Sequence, residues 1–201
     1  MAKRVYRSVV RAASARETRA EVLRAAEELF AGQGYTRTTV AQIAERAGVA
    51  VNTVYTSVGG KPALIGALAR ESTDDEGITD SMAAVLAETD PRRILRLTAE
   101  GTGEVTRRRS AFLHVMVDNA ASDPAVAAAA AYAVGRYRQR LAAVSGRLVA
   151  LGAVRSDAAR TEQILWFYFG TASWSTAREL GWDWDETAAW LAEQAASALL
   201  G

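Results

Sequence analysis

The sequence predicts an all-α protein of about nine helices: an N-terminal head built around a helix-turn-helix, followed by a helical C-terminal body. Three observations predict it. Apolar residues recur at helical three-to-four spacing along the whole chain, and almost nothing alternates with period two. The breaks between apolar stretches carry capping residues, prolines at first-turn positions and glycines after last turns. Residues 39–61, TVAQIAERAGVAVNTVYTSVGGK, read as two short helices joined at a glycine.

The elements follow in order. Ser14 and Glu17 make a capping box for a first helix over about residues 15–32, whose Val22, Ala26, Leu29 and Phe30 fall on one face. Gly32 and Gly34 end it. Thr39 caps a helix from Val40 to Ala47, with Gln42 completing a second capping box. Gly48 stands where the chain must turn sharply, and the next helix runs over about 51–57. Ala44 keeps the crossing point small, and Val54 locks the second helix against the first. A fourth helix starts near Lys61, with Pro62 in its first turn and Leu64, Ile65 and Leu68 facing inward. Residues 71–77, ESTDDEG, look like the joint between head and body.

The body reads as a short helix over 78–88, one from Asp90-Pro91 to about Arg109, and another over 111–121. Ser122-Asp123-Pro124 launches a long alanine-rich helix to Leu151, ended by Gly152. A further helix runs from Ser156-Asp157 to about Leu180, and Asp183 and Glu186 cap the last, from about Trp184 to Leu200. The expected domains are a basic arm (1–14), a helix-turn-helix domain (15–70) and a body domain (78–201).

Composition narrows the function. No apolar run approaches the roughly 20 residues of a membrane span. With no cysteine there is no disulfide, thiolate metal site or cysteine nucleophile, and a cytoplasmic protein is expected. A net charge of +1 conceals an asymmetry: residues 1–70 hold 11 Lys/Arg against 5 Asp/Glu, and 71–201 hold 13 against 18. A basic head on an acidic body suits a DNA reader joined to something that does not touch DNA. Residues 1–15, rich in arginine and free of acids, fit a flexible basic arm on phosphates or the minor groove, a transit peptide or a solvated tail.

Residues 15–70 resemble the tetracycline-repressor (TetR) family of bacterial transcriptional regulators. The resemblance rests on a helix ending in Gly34-Tyr35, then Thr39-Val40-Ala41-Gln42-Ile43-Ala44, Gly48-Val49, Thr53-Val54-Tyr55 and Lys61. It implies an Ω-shaped homodimer with a DNA-binding head on each subunit and a C-terminal ligand-binding and dimerisation domain. It places Tyr55 and Lys61 on phosphates, Thr38 and Thr39 at hydroxyl positions that meet the DNA backbone, and Asn52, Thr53 and Thr56 where base edges are read. The chemistry agrees: an amide pairs with adenine, a threonine methyl meets a thymine methyl, and phosphate contacts set register. Two departures stand out. Ala50 replaces a usual capping serine, leaving Asn52 to compensate, and Val58 replaces a usual phenylalanine.

In the body, residues 164–169, ILWFYF, are apolar all round a helix. They serve either as core and dimer packing or as an aromatic-lined pocket, with Phe112, Met116, Tyr132, Trp166 and Phe169 as candidate walls. Ala188, Leu191, Ala195 and Leu199 form a stripe for a dimer through the last two helices, or for packing within one subunit. Gly101 and Gly103 allow close approach by a helix or ligand, and Arg107-Arg108-Arg109 reads as a solvated face near a helix C-terminus. His114 and Asp118, one turn apart, read as a hydrogen-bonded pair or a pocket contact rather than a metal site. No nucleophile-base set, glycine-rich phosphate loop or cofactor motif is present, so no enzyme and no cofactor are expected. The expected partners are a palindromic duplex operator, a second copy of the chain and a small apolar or aromatic effector, with no membrane. The leading reading is a repressor that the effector releases from DNA. A DNA-binding architectural protein without an inducer is the alternative, and an all-helical carrier or enzyme a remoter one.

Overall fold

The computed structural model describes residues 2–73 and 76–200, the side chains from residue 12 onward except those of residues 76 and 111. Its elements are α1 (Ala2–Gln33), α2 (Val40–Arg46), α3 (Val51–Ser57), α4 (Lys61–Thr73), α5 (Glu76–Ala87), α6 (Pro91–Asn119), α7 (Pro124–Ala150), α8 (Ala158–Phe169), α9 (Thr171–Glu179) and α10 (Trp184–Leu199). Every regular element among the described residues is helical.

Three boundaries differ from expectation, each for a local reason. α1 begins at Ala2, so the segment expected as a flexible arm continues the helix. Its alanines and arginines are strong helix formers, with neither glycine nor proline among them. α6 is one helix where two were expected. Ser110 donates to the Arg107 carbonyl at 3.2 Å, and this back-bonding stays within the helix rather than ending it. The Arg107–Arg109 run therefore lies mid-helix, and both Arg107 and Arg108 pair with Glu104, at 2.6 and 2.5 Å. The helix expected over 156–180 is broken at Gly170, whose ψ of 156° is extended. A Cβ there would lie 2.5 Å from the Trp166 carbonyl oxygen.

The chain divides into two compact units that do not follow its linear halves. The first comprises residues 1–71 and 111–132, so the end of α6 and the start of α7 belong with the head. α1, α2 and α3 pack pairwise. Buried there are Val22, Leu23, Ala26, Phe30, Ile43, Ala44, Val54, Leu64 and Ile65, with Phe112, Val115, Met116 and Val126 from α6 and α7.

The second unit comprises residues 72–110 and 133–201. α8 packs on α10, and α9 bridges both. One core joins Ile94, Leu95, Leu141, Val144, Leu148, Leu165, Phe169, Trp174, Leu191 and Leu199. Gly103 in α6 makes room for Trp174 of α9: a Cβ at Gly103 would sit 2.5 Å from the ring's Cη2. Trp174 is fully buried and stacks on Trp184, with centroids 5.9 Å apart. Ala188, Leu191, Ala195 and Leu199 are all buried inside this unit, so the stripe expected at a dimer interface is core. Period alone does not say which partner a stripe meets, and α8 reaches it first.

Candidate nucleic-acid interface and body cavity

The helix-turn-helix follows from its capping chemistry. Thr39 Oγ1 accepts from the Gln42 N–H at 3.2 Å, and the Thr39 N–H donates to Gln42 Oε1 at 2.9 Å, a reciprocal box. At the far end of α2 the Gly48 N–H donates to the Glu45 carbonyl and the Val49 N–H to the Ala44 carbonyl. That closure needs the left-handed φ of +67° at Gly48, which glycine adopts without a Cβ clash. Ala44 and Val54 are both buried at the crossing of α2 and α3.

α3 starts without help. Ala50 is its N-cap residue and no side chain bonds the helix start, so Asn52 does not replace the missing serine. Asn52, Tyr55 and Thr56 are exposed on α3, Tyr55 at 53 %, and Thr53 is half-buried. The Thr56 hydroxyl donates to the Asn52 carbonyl at 3.0 Å. Thr39 is exposed at the start of α2.

Thr38 departs from the expected set. It is 1 % exposed, and its hydroxyl donates to the Gly34 carbonyl at 2.8 Å while Gln33 Nε2 approaches it at 3.3 Å. The side chain tethers the α1–α2 turn instead of facing solvent. A Thr-Thr pair at a helix start does not reveal which hydroxyl points inward.

Lys61, the first residue of α4, is half-buried. Its ammonium donates to the Thr36 carbonyl at 3.2 Å and sits 4.3 Å from the centroid of the Tyr35 ring. Burial pulls its pKa below the ordinary lysine value, and the charge of Asp123 opposes the fall. Burial likewise pushes the Tyr35 phenol up. The neighbouring Thr36 hydroxyl meets Asn119 Oδ1 at 3.2 Å. Ionic support is local: Glu28 takes Arg24 and Arg46 at 2.7 Å each, which holds its carboxyl below the usual range.

Of the candidate pocket walls, Phe112, Met116 and Tyr132 belong to the first unit, Trp166 and Phe169 to the second. A cavity of ≈ 90 Å³ lies among α5, α6 and α7 of the second unit, with Ile78, Met82, Leu97 and Leu141 among its walls. Thr98, Thr102, Tyr137, Arg108 and Arg140 give it polar points, and Gly101 forms part of the wall. The threonines were missed because their hydroxyls bond back to α6 carbonyls, Thr98 to Ile94 at 2.8 Å and Thr102 to Ala99 at 3.0 Å, so they behave as apolar residues. Tyr137 donates to the Phe169 carbonyl at 2.5 Å, and burial pushes its phenol well above the usual tyrosine value. Trp166 lines a separate open groove of ≈ 650 Å³ with Phe167, Leu180 and Trp190.

Among the described residues no group of three His, Cys, Asp or Glu side chains could hold a metal, and no helix is long and apolar enough to cross a membrane.

Residues 22–68 match the family described as bacterial regulatory proteins, tetR family. A sequence search of curated proteins gives no match. Among solved structures, FadR from Bacillus subtilis in complex with stearoyl-CoA is 17 % identical, covering 88 % of this chain and 97 % of that one, with a TM-score of 0.73. The SmeT–triclosan complex is 19 % identical, covering 92 % of each chain, with a TM-score of 0.73. A TetR transcription regulator from Haloarcula marismortui is 22 % identical, covering 92 % and 99 %, with a TM-score of 0.71. The family match is thus confined to residues 22–68, and along nearly its whole length the chain shares the fold of these solved structures.

Proposed function

We propose that the protein is a ligand-responsive repressor that binds a palindromic operator as a homodimer and leaves it when a small, mainly apolar effector enters the body. The observation that carries this reading is α3: a capped, glycine-turned helix-turn-helix presents Asn52, Tyr55 and Thr56 to solvent in a head matched to the tetR family. Asn52, Thr53 and Thr56 read bases, while Tyr55, Lys61 and Thr39 hold phosphates. Thr38 is left out of the set.

Dimerisation is supported by the exposure of Phe167 at 71 %, Leu180 at 66 % and Trp190 at 46 %, large apolar side chains gathered on one groove of α8–α10. Two heads one DNA turn apart then read both half-sites.

The effector site is the α5–α7 cavity, whose walls are apolar with a few polar points. At ≈ 90 Å³ it admits a few heavy atoms as it stands, so a larger effector must displace α5 or side chains on it. That two structures of this fold carry stearoyl-CoA and triclosan supports a mainly apolar molecule. α6 supplies Thr98, Thr102 and Arg108 to the cavity and Phe112, Met116 and Asn119 to the head unit. The effector releases DNA only to the extent that it binds the DNA-free state more tightly.

The test is footprinting of the purified protein on the region upstream of its own coding sequence and on duplexes retained from a random pool. A protected palindrome supports the reading. Binding without sequence preference, and with steep salt dependence alone, would refute it in favour of an architectural role.

A further inference from the structure

A groove of ≈ 560 Å³ runs along the head between α1 and α3. Its walls include Arg16, Thr18 and Arg19 from α1 and Thr53, Thr56 and Ser57 from α3. None of the residues that line it is acidic.

The two arginines are held differently. Arg19 is half-buried, and its Nη1 donates to the Ser57 carbonyl, the last residue of α3, at 2.9 Å. A guanidinium there satisfies a helix-end carbonyl and favours the negative end of the dipole, so Arg19 positions α3 against α1. Arg16 is exposed; its Nε makes only a long bond of 3.3 Å to the Ala12 carbonyl within α1. Among the described residues its guanidinium has no carboxylate partner, whereas Arg24, Arg46, Arg107 and Arg138 each have one.

Side-chain direction on α3 sets what Arg16 faces. Thr53, Thr56 and Ser57 are three and four apart and share the face toward α1. Tyr55 is two residues from Thr53, roughly 200° round the helix. It lies instead by Gly60, at the approach to Lys61: a Cβ on Gly60 would meet Tyr55 Cε1 at 3.5 Å. A helix in a major groove about 12 Å wide has a phosphate strand on either flank. The Tyr55–Lys61 flank meets one strand. The flank beyond Thr53 and Thr56 meets the other, and there the structure places the exposed Arg16 guanidinium, which has no carboxylate partner among the described residues.

We infer that the α1–α3 groove is a second DNA-backbone site, in which Arg16 binds a phosphate of the strand opposite the one held by Tyr55 and Lys61. The inference rests on α3 being the DNA-reading helix. The ligand is a duplex phosphate diester, bound by a charge-assisted and geometrically selective pair. Arg19 is the positioning residue, and Thr53 and Thr56 keep their place against the bases between the two anchored strands.

The experiment uses the full-length chain and a labelled duplex that this chain retains from a random-sequence pool, titrated by fluorescence anisotropy from low to moderate NaCl. Arg16→Ala and Arg16→Gln should each lower the slope of log K against log salt by about 0.9, as expected for one lost phosphate contact. Lys61→Ala should lower it by a similar amount and the double variant by about twice that. Duplexes carrying single neutral methylphosphonates supply the second readout: the positions to which binding becomes insensitive in Arg16→Ala should lie on the other strand from those lost in Lys61→Ala. A wild-type slope in both Arg16 variants, or loss at the same phosphates as Lys61→Ala, overturns the site while leaving the DNA-binding reading intact. Retention of no duplex by the wild-type chain overturns both. Matching far-UV circular dichroism of the Arg16 variants ties a change in slope to the contact.

Discussion

Gly101 and Gly103 sit two residues apart in α6, and the same substitution at each should have opposite effects. A Cβ at Gly103 would lie 2.5, 2.9 and 3.1 Å from Cη2, Cζ3 and Cζ2 of Trp174. The ring cannot swing away, because Trp174 is fully buried and stacked on Trp184. Overpacking of this kind costs about 1–3 kcal/mol, and the better helix propensity of alanine offsets about 1 kcal/mol. With the contact this short, Gly103→Ala should lose about 2 kcal/mol, or about 4–8 °C in melting temperature for a chain of this size. At Gly101 the nearest side-chain atom is Ser81 Cβ at 4.0 Å, an ordinary contact, so Gly101→Ala should gain about 0.5–1 kcal/mol. Thermal melts followed by circular dichroism measure both, and tryptophan fluorescence reports the setting of Trp174. A Gly103→Ala protein that melts at or above the wild type would refute the close-approach argument. Equal losses at both glycines would show that α6 glycines matter for some other reason.

Other predictions concern the head and one ion pair. Ala50→Ser should restore an N-cap on α3, whose φ of −70° and ψ of 149° at Ala50 already suit one, and raise head stability by about 1 kcal/mol in denaturant titrations. Thr38→Val should cost about 1–2 kcal/mol through the lost bond to the Gly34 carbonyl while leaving DNA affinity per folded molecule unchanged; a selective loss of affinity would return Thr38 to the interface. Asn52→Ala should relax preference at one base pair by about 1–3 kcal/mol in a binding-site selection, while Tyr55→Phe should weaken binding alike on all duplexes. Arg138 holds the Glu162 carboxyl below its ordinary value of 4.5, so the pair's stabilisation is full above that pH and lost as pH falls through the lowered pKa. Glu162→Gln should therefore flatten the acid limb of a stability–pH curve, and an unchanged limb would show that the pair contributes nothing.

The head was the most legible part of the chain because its determinants are local. A capping box closes over three residues, a glycine turn over one, and both appear at Thr39–Gln42 and Gly48 as read. Helix α6 was less legible because Ser110 gives the same signal whether it ends a helix or bonds back within one. The cavity was not legible: aromatics drew attention to Trp166 and Phe169, whereas its polar points are threonines on α6 and Tyr137 on α7.

The sequence by itself determined the all-helical class, the helix-turn-helix and the residue types on α3, because helical period, caps and turns act over a few neighbours. Tertiary structure alone decided which of two adjacent threonines faces inward and that the Ala188–Leu199 stripe is core. It also decided that Gly103 receives Trp174 and that Arg16 stands beside α3 with no carboxylate partner among the described residues. Those outcomes depend on which surface reaches a residue first, a property of packing between segments distant in sequence that no local pattern records.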